Sequence, residues 1–89
     1  MEFYRLKHKP TGLYYRPGQT ANLTKKGKVY TSGGNALNYF AHGVPVRAGR
    51  TLADNLRQFY LNIPEVKYGL TEVVIPKSDF VIEPFNQAI

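Results

Sequence analysis

At 89 residues the chain has room for one domain, residues 1–89, with one modest core. A hydrophobic fraction of 43%, with 7 Tyr and 5 Phe, excludes a disordered basic tail, and the lack of Cys excludes disulfides and thiolate metal sites. The net charge of +6 is uneven: residues 1–50 carry nine basic groups against one acid, and residues 51–89 carry three against five. Such asymmetry points to a polyanionic partner, RNA or DNA, or to an acidic protein surface. No apolar run is long enough to cross a bilayer, and the opening MEFYRLKHK has no apolar signal core. The expectation is a soluble cytoplasmic protein with no membrane partner.

Taken in order, Glu2 to Lys9 reads as a strand. Period-two alternation puts Tyr4, Leu6 and His8 on a core face. Phe3, Arg5, Lys7 and Lys9 fall on the other, a row of cations about 6–7 Å apart headed by an aromatic ring. Pro10-Thr11-Gly12 turns the chain, and Leu13 to Arg16 returns as a strand closed by Pro17-Gly18. Asn22-Leu23-Thr24 and Lys28 to Thr31 read as a second hairpin around Lys25-Lys26-Gly27, with Gly27 in the left-handed position. Charges at such a tip are cheap to solvate, so its lysines are as consistent with plain solubility as with a ligand.

Ala36, Leu37, Phe40 and Ala41 have helical spacing, predicting a short helix capped by Asn35 or Ser32 and ended by Gly43. Val44 to Arg50 is expected to be extended or loop because of Pro45 and Gly49. The clearest helix is predicted at 52–61, with Thr51 as cap, Asp54 reaching back, an apolar stripe of Leu52, Leu56, Phe59 and Tyr60, and Pro64 as terminator. Val66–Tyr68, Glu72–Ile75 and Asp79–Glu83 read as short strands, the last stopped by Pro84. The predicted fold class is α+β: a small, mostly antiparallel sheet of about five or six short strands with one or two helices.

His8 and His42 are the only conventional acid–base candidates near neutral pH. His8 lies on the core-facing side and His42 beside a predicted helix end, so a structural role outweighs a catalytic one for each. The acids are scattered and no metal-binding or phosphate-loop motif occurs. The expectation is therefore no catalytic residues, no metal, no cofactor and no enzyme. Binding is better supported. Arg5, Lys7, Lys9, Arg16, Lys25, Lys26 and Lys28 are the candidate phosphate contacts, and Phe3 and Tyr14 the candidate stacking platforms. Single-stranded or structured RNA fits better than duplex DNA, because no predicted helix is basic enough for a major groove.

The stretches KPTGLYY (9–15) and NLTKKGKVY (22–30) resemble the N-terminal part of a group of small accessory proteins of T-even-type bacteriophages. The likeness covers about the first third of the chain and names no chemistry. In size, charge and apparent phage origin the chain is also similar to one such protein, an RNA-binding inhibitor that counters the endoribonuclease toxin of a type III toxin–antitoxin system, and that likeness implies inhibition by binding in the host cytoplasm. RNA and a host ribonuclease toxin are then the expected partners. Two other readings stay open: a protein–protein inhibitor that uses the basic face without RNA, and a small basic ribonuclease. A homodimer is also expected to be accessible, because a small sheet leaves edges that need covering.

Overall fold

The computed structural model describes residues 2–19, 21–31, 40 and 43–86. Six strands lie among them: β1 (Glu2–His8), β2 (Tyr14–Arg16), β3 (Asn22–Thr24), β4 (Val44–Ala48), β5 (Thr71–Ile75) and β6 (Phe80–Asn86). One helix, α1 (Arg50–Leu56), and a 3-10 turn at Lys77–Asp79 complete the described elements. The architecture is α+β with little helix. A four-stranded antiparallel sheet runs in the order β3-β2-β1-β6, and β4 and β5 form a second, two-stranded sheet.

The first strand organises the large sheet. Its alternation buries Leu6 and His8 and turns Arg5 and Lys7 outward, as the pleat requires. The turn after it closes through His8 N–H to the Leu13 carbonyl at 2.7 Å, with Gly12 at φ +74°. On the other side β1 pairs along its full length with β6, from Glu2 opposite Asn86 to His8 opposite Phe80. Pro84 does not end β6, contrary to expectation. Tyr4, its pairing partner, sends both its N–H and its carbonyl to Tyr30, at 2.8 and 2.7 Å. The Tyr4–Pro84 pair is thus one that exchanges no backbone bonds, and the missing N–H is not needed.

The predicted second hairpin is not formed. Asn22–Thr24 pairs back onto β2, with Tyr15 opposite Leu23, and Tyr30 crosses to bridge Tyr4 on β1. Strands β1 and β2 pair with Lys7 opposite Tyr14, and further along β1 it is Tyr30 that lies beside Tyr4. Gly27 takes the left-handed conformation expected of it, φ +63°.

The segment 44–48 is a strand despite Pro45. Arg47 N–H donates to the Ala21 carbonyl at 2.6 Å, away from β5, and alternation turns the Pro45 nitrogen the same way. Helix α1 starts earlier and ends sooner than predicted. Gly49, not Thr51, is the cap, in an extended conformation and with no side-chain hydrogen bond; its carbonyl accepts the Ala53 N–H at 2.9 Å. Asp54 pairs with Arg57 instead of reaching back. Beyond Leu56 the chain continues as turns, and Phe59 is exposed, off the predicted apolar stripe. Residues 66–68 form no strand, although Val66 is buried from its loop. The predicted helix at 36–41 and His42 lie outside the described residues, apart from Phe40, whose ring meets Tyr15 edge-on at 5.5 Å.

One core joins the elements: Leu6, Tyr15, Leu23 and Phe80 from the large sheet, Val44, Val46, Ala48, Val73 and Ile75 from the small one, and Ala53 and Leu56 from α1. No helix among the described residues is long and apolar enough to cross a membrane.

Candidate nucleic-acid interface

Strand pairing decides which predicted contacts meet. Paired residues project to the same side of a sheet. Lys7 is opposite Tyr14 on β2 and Val81 on β6, Tyr14 is opposite Thr24 on β3, and Arg5 is opposite Glu83 on β6. Phe3, Arg5, Lys7, Tyr14 and Arg16 therefore share the solvent face of the large sheet, the face opposite to buried Leu6, Tyr15 and Leu23.

At the centre of this face sits an acid that the sequence reading missed. The Glu83 carboxylate accepts the Tyr14 hydroxyl at 2.7 Å and lies 3.5 Å from Lys7 Nζ and 4.0 Å from an Arg5 guanidinium nitrogen. The Arg5 guanidinium also stacks 4.3 Å from the centre of the Tyr14 ring, a cation–π contact. Tyr14's hydrogen bond holds the Glu83 carboxyl below its ordinary value; burial pushes back, and Lys7 and Arg5 add to the lowering. The same bond raises the Tyr14 hydroxyl above its usual value. The centre is thus a preassembled group of two cations, one ring and one carboxylate. Alternation in Phe80–Glu83 puts Glu83 on the outer face; only the pairing of the first strand with the last brings it to Arg5.

The other predicted contacts are less concentrated. Arg16 is exposed one pleat along from Tyr14, and Lys9 is exposed just beyond β1, its N–H bound to the Asp79 carbonyl at 2.8 Å. Lys25 and Lys26 are exposed at the tip after β3. That tip is fixed to the sheet: Gly27 N–H donates to Thr24 Oγ1 at 2.7 Å, and a Cβ at Gly27 would fall 2.4 Å from Tyr14 Cβ. Lys28 is drawn elsewhere. Its ammonium lies 5.2 Å from the centre of the Tyr30 ring, and Tyr30 packs against the core as the bridge partner of Tyr4. Phe3 is half-buried on the shared face.

His8 is fully buried and belongs to a directed chain of hydrogen bonds. Tyr60 Oη donates to Asp79 Oδ2 at 2.6 Å, so His8 Nε2, 2.7 Å from the same hydroxyl, is the donor there. His8 Nδ1 then accepts from Thr11 Oγ1 at 2.7 Å, and that oxygen accepts the Leu13 N–H at 3.2 Å. This is the neutral imidazole with its proton on Nε2. Burial lowers its pKa from 6.5 against the upward pull of Asp79, and burial together with the Asp79 bond raises that of Tyr60. With no exposed surface, the ring has no access to a substrate in this conformation.

A charged groove of about 370 Å³ lies beside α1, where Arg50, Arg57 and Lys67 are partly offset by Asp54 and Glu65 and flanked by the exposed Tyr68 ring. Among the described residues no group of three or more His, Asp or Glu could hold a metal ion. Comparison with known protein families, characterised proteins and solved structures found no match to this chain.

Proposed function

We propose that the chain binds RNA through the solvent face of its large sheet and inhibits a host defence endoribonuclease as a phage-type protein, by binding rather than by catalysis, in the cytoplasm of the infected cell. The observation that carries the RNA part is the shared placement of Arg5, Lys7 and Arg16 around the Tyr14 ring, with Lys9 and the Lys25–Lys26 tip at its margins. Cations on one flat surface can follow a phosphate backbone, and a ring among them can stack an unpaired base. A strand-built surface suits single-stranded or folded RNA, and α1, at seven residues, is too short to read a major groove. The ribonuclease target rests on the likeness in size, charge and apparent phage origin to a phage accessory protein that inhibits such a toxin.

Filter-binding titrations of single-stranded RNA across a salt series test the reading. About four to five effective phosphate contacts predict a slope of log affinity against log salt near −3. Absence of binding at low salt, or affinity indifferent to salt, would refute it. A complex with the target that survives complete RNA digestion would favour direct protein contact instead. Cleavage of RNA by the purified protein would favour the ribonuclease.

A further inference from the structure

The sheet edges are not equally open. Beside β3, the Ala21 carbonyl already accepts the Arg47 N–H of β4. On β6, alternation from the Tyr4 pair turns Ile82 and Pro84 outward, and Pro84 has no N–H to offer. On β5 the situation differs. Arg47 points away from β5, so the β4–β5 ladder is made by Val44 with Ile75, Val46 with Val73 and Ala48 with Thr71. The N–H and carbonyl groups of Glu72 and Val74 therefore face outward, with no partner among the described residues. Neither Lys nor Pro interrupts this strand, and exposed apolar side chains flank it: Val74 itself, Leu70, Phe59 and Leu61. A groove of about 550 Å³ runs beside the strand, lined by Phe59, Leu61, Ile63, Val74 and Pro76 among others.

We propose that β5 is a dimerisation strand: two copies of the chain pair antiparallel, edge to edge, about Val73, giving one four-stranded sheet across a two-fold axis. The outward groups restrict the register. Pairing about Val73 sets Glu72 opposite the partner's Val74 and closes four backbone hydrogen bonds. Pairing about Glu72 would oppose two carboxylates, and pairing about Val74 would set Glu72 opposite the partner's Pro76, which has no N–H. The strand is thus its own complement in one register, which is what an isologous interface requires. Glu72 on this edge, and the placement of the cationic face on the other sheet, favour a second copy over the polyanion as its occupant. The surplus of basic groups lies in residues 1–50, so joining at β5 keeps the two cationic faces out of the contact.

Sedimentation equilibrium of the nuclease-treated full chain, with Val74→Lys and Val74→Glu beside the wild type, tests the pairing. Val74 is exposed, so both variants should keep the wild-type circular dichroism. Val74→Glu places two like-charge pairs against the partner's Glu72 and should weaken the dimer roughly 2- to 30-fold, whereas Val74→Lys places two opposite-charge pairs there and should hold or tighten it. A wild type that stays monomeric at its highest soluble concentration overturns the proposal. Equal weakening by both variants, or indifference to both, overturns it as well. RNA affinity is read separately and on the other sheet, so failure of the dimer leaves the RNA reading intact.

Discussion

Replacing Glu83 by Gln removes the acid that pairs with Arg5 and Lys7 while keeping an oxygen that can accept the Tyr14 hydroxyl. If this face binds phosphate, the variant should bind RNA more tightly than the wild type. A carboxylate roughly 7 Å from a phosphate costs about 0.6 kcal/mol in water, so its loss is worth about threefold in affinity. The salt dependence gives a sharper reading. Arg5 and Lys7 would no longer share a carboxylate, which adds about one effective contact and steepens the single-strand slope by about 0.7. The gain should therefore shrink as salt rises. Arg16→Gln is the mirror control and should flatten the slope by a similar amount. The two ion pairs are partly exposed, so their loss should cost at most about 1 kcal/mol of stability, checked by urea denaturation. Unchanged or weaker binding by a folded Glu83→Gln protein would refute the assignment of this face to RNA.

Tyr60→Phe removes the hydroxyl between His8 and Asp79 and strands buried polar groups, so urea unfolding should show a loss of about 1–3 kcal/mol. Its RNA affinity should stay at the wild-type value, because the network lies on the core side of the sheet. Gly27→Ala should destabilise by more than about 2 kcal/mol in the same assay: its Cβ would meet Tyr14 Cβ at 2.4 Å and the Tyr15 carbonyl oxygen at 2.9 Å, at φ +63°. Stability should also fall in two steps on acidification. Below 6.5 the unfolded chain protonates His8 while the folded chain, with its lowered pKa, does not, so stability is full above 6.5 and drops from there to the folded value. Glu83, also lowered, adds a second loss as pH falls from 4.5 through its folded value. Urea midpoints measured across both windows should show the lower step disappear in Glu83→Gln and the upper one persist.

Local pattern was enough for what local physics determines. The two faces of β1 follow from alternation alone, and the burial of His8 with Leu6 was legible there. The left-handed Gly27 and the short strands near Glu72–Ile75 and Phe80–Glu83 were equally readable, because turn chemistry and period two act over a few residues. The departures in strand pairing share one cause. Sequence proximity pairs Tyr30 with Asn22–Thr24, but Tyr30 bridges Tyr4 across 26 positions. Pro84 reads as a strand breaker, yet it sits where its nitrogen owes the ladder nothing, and only knowledge of the partner strand says so.

The same reasoning explains why the candidate site was half legible. Arg5, Lys7 and Tyr14 could be placed on one face from β1 and its hairpin, but Glu83 arrives from the far end of the chain by the β1–β6 pairing. Its presence changes the chemistry of the face. A bare row of cations would attract any polyanion in proportion to charge. Here Arg5 is held on the Tyr14 ring and Lys7 is held at Glu83 before any ligand comes. Side chains already ordered lose less entropy on binding than free ones, while Glu83 subtracts from the attraction. The net effect is a surface that gives up affinity for fixed geometry. A folded RNA with its phosphates at matching positions should then be preferred over a flexible homopolymer of equal charge, and that preference should relax in Glu83→Gln, where Arg5 and Lys7 are no longer tied to a carboxylate.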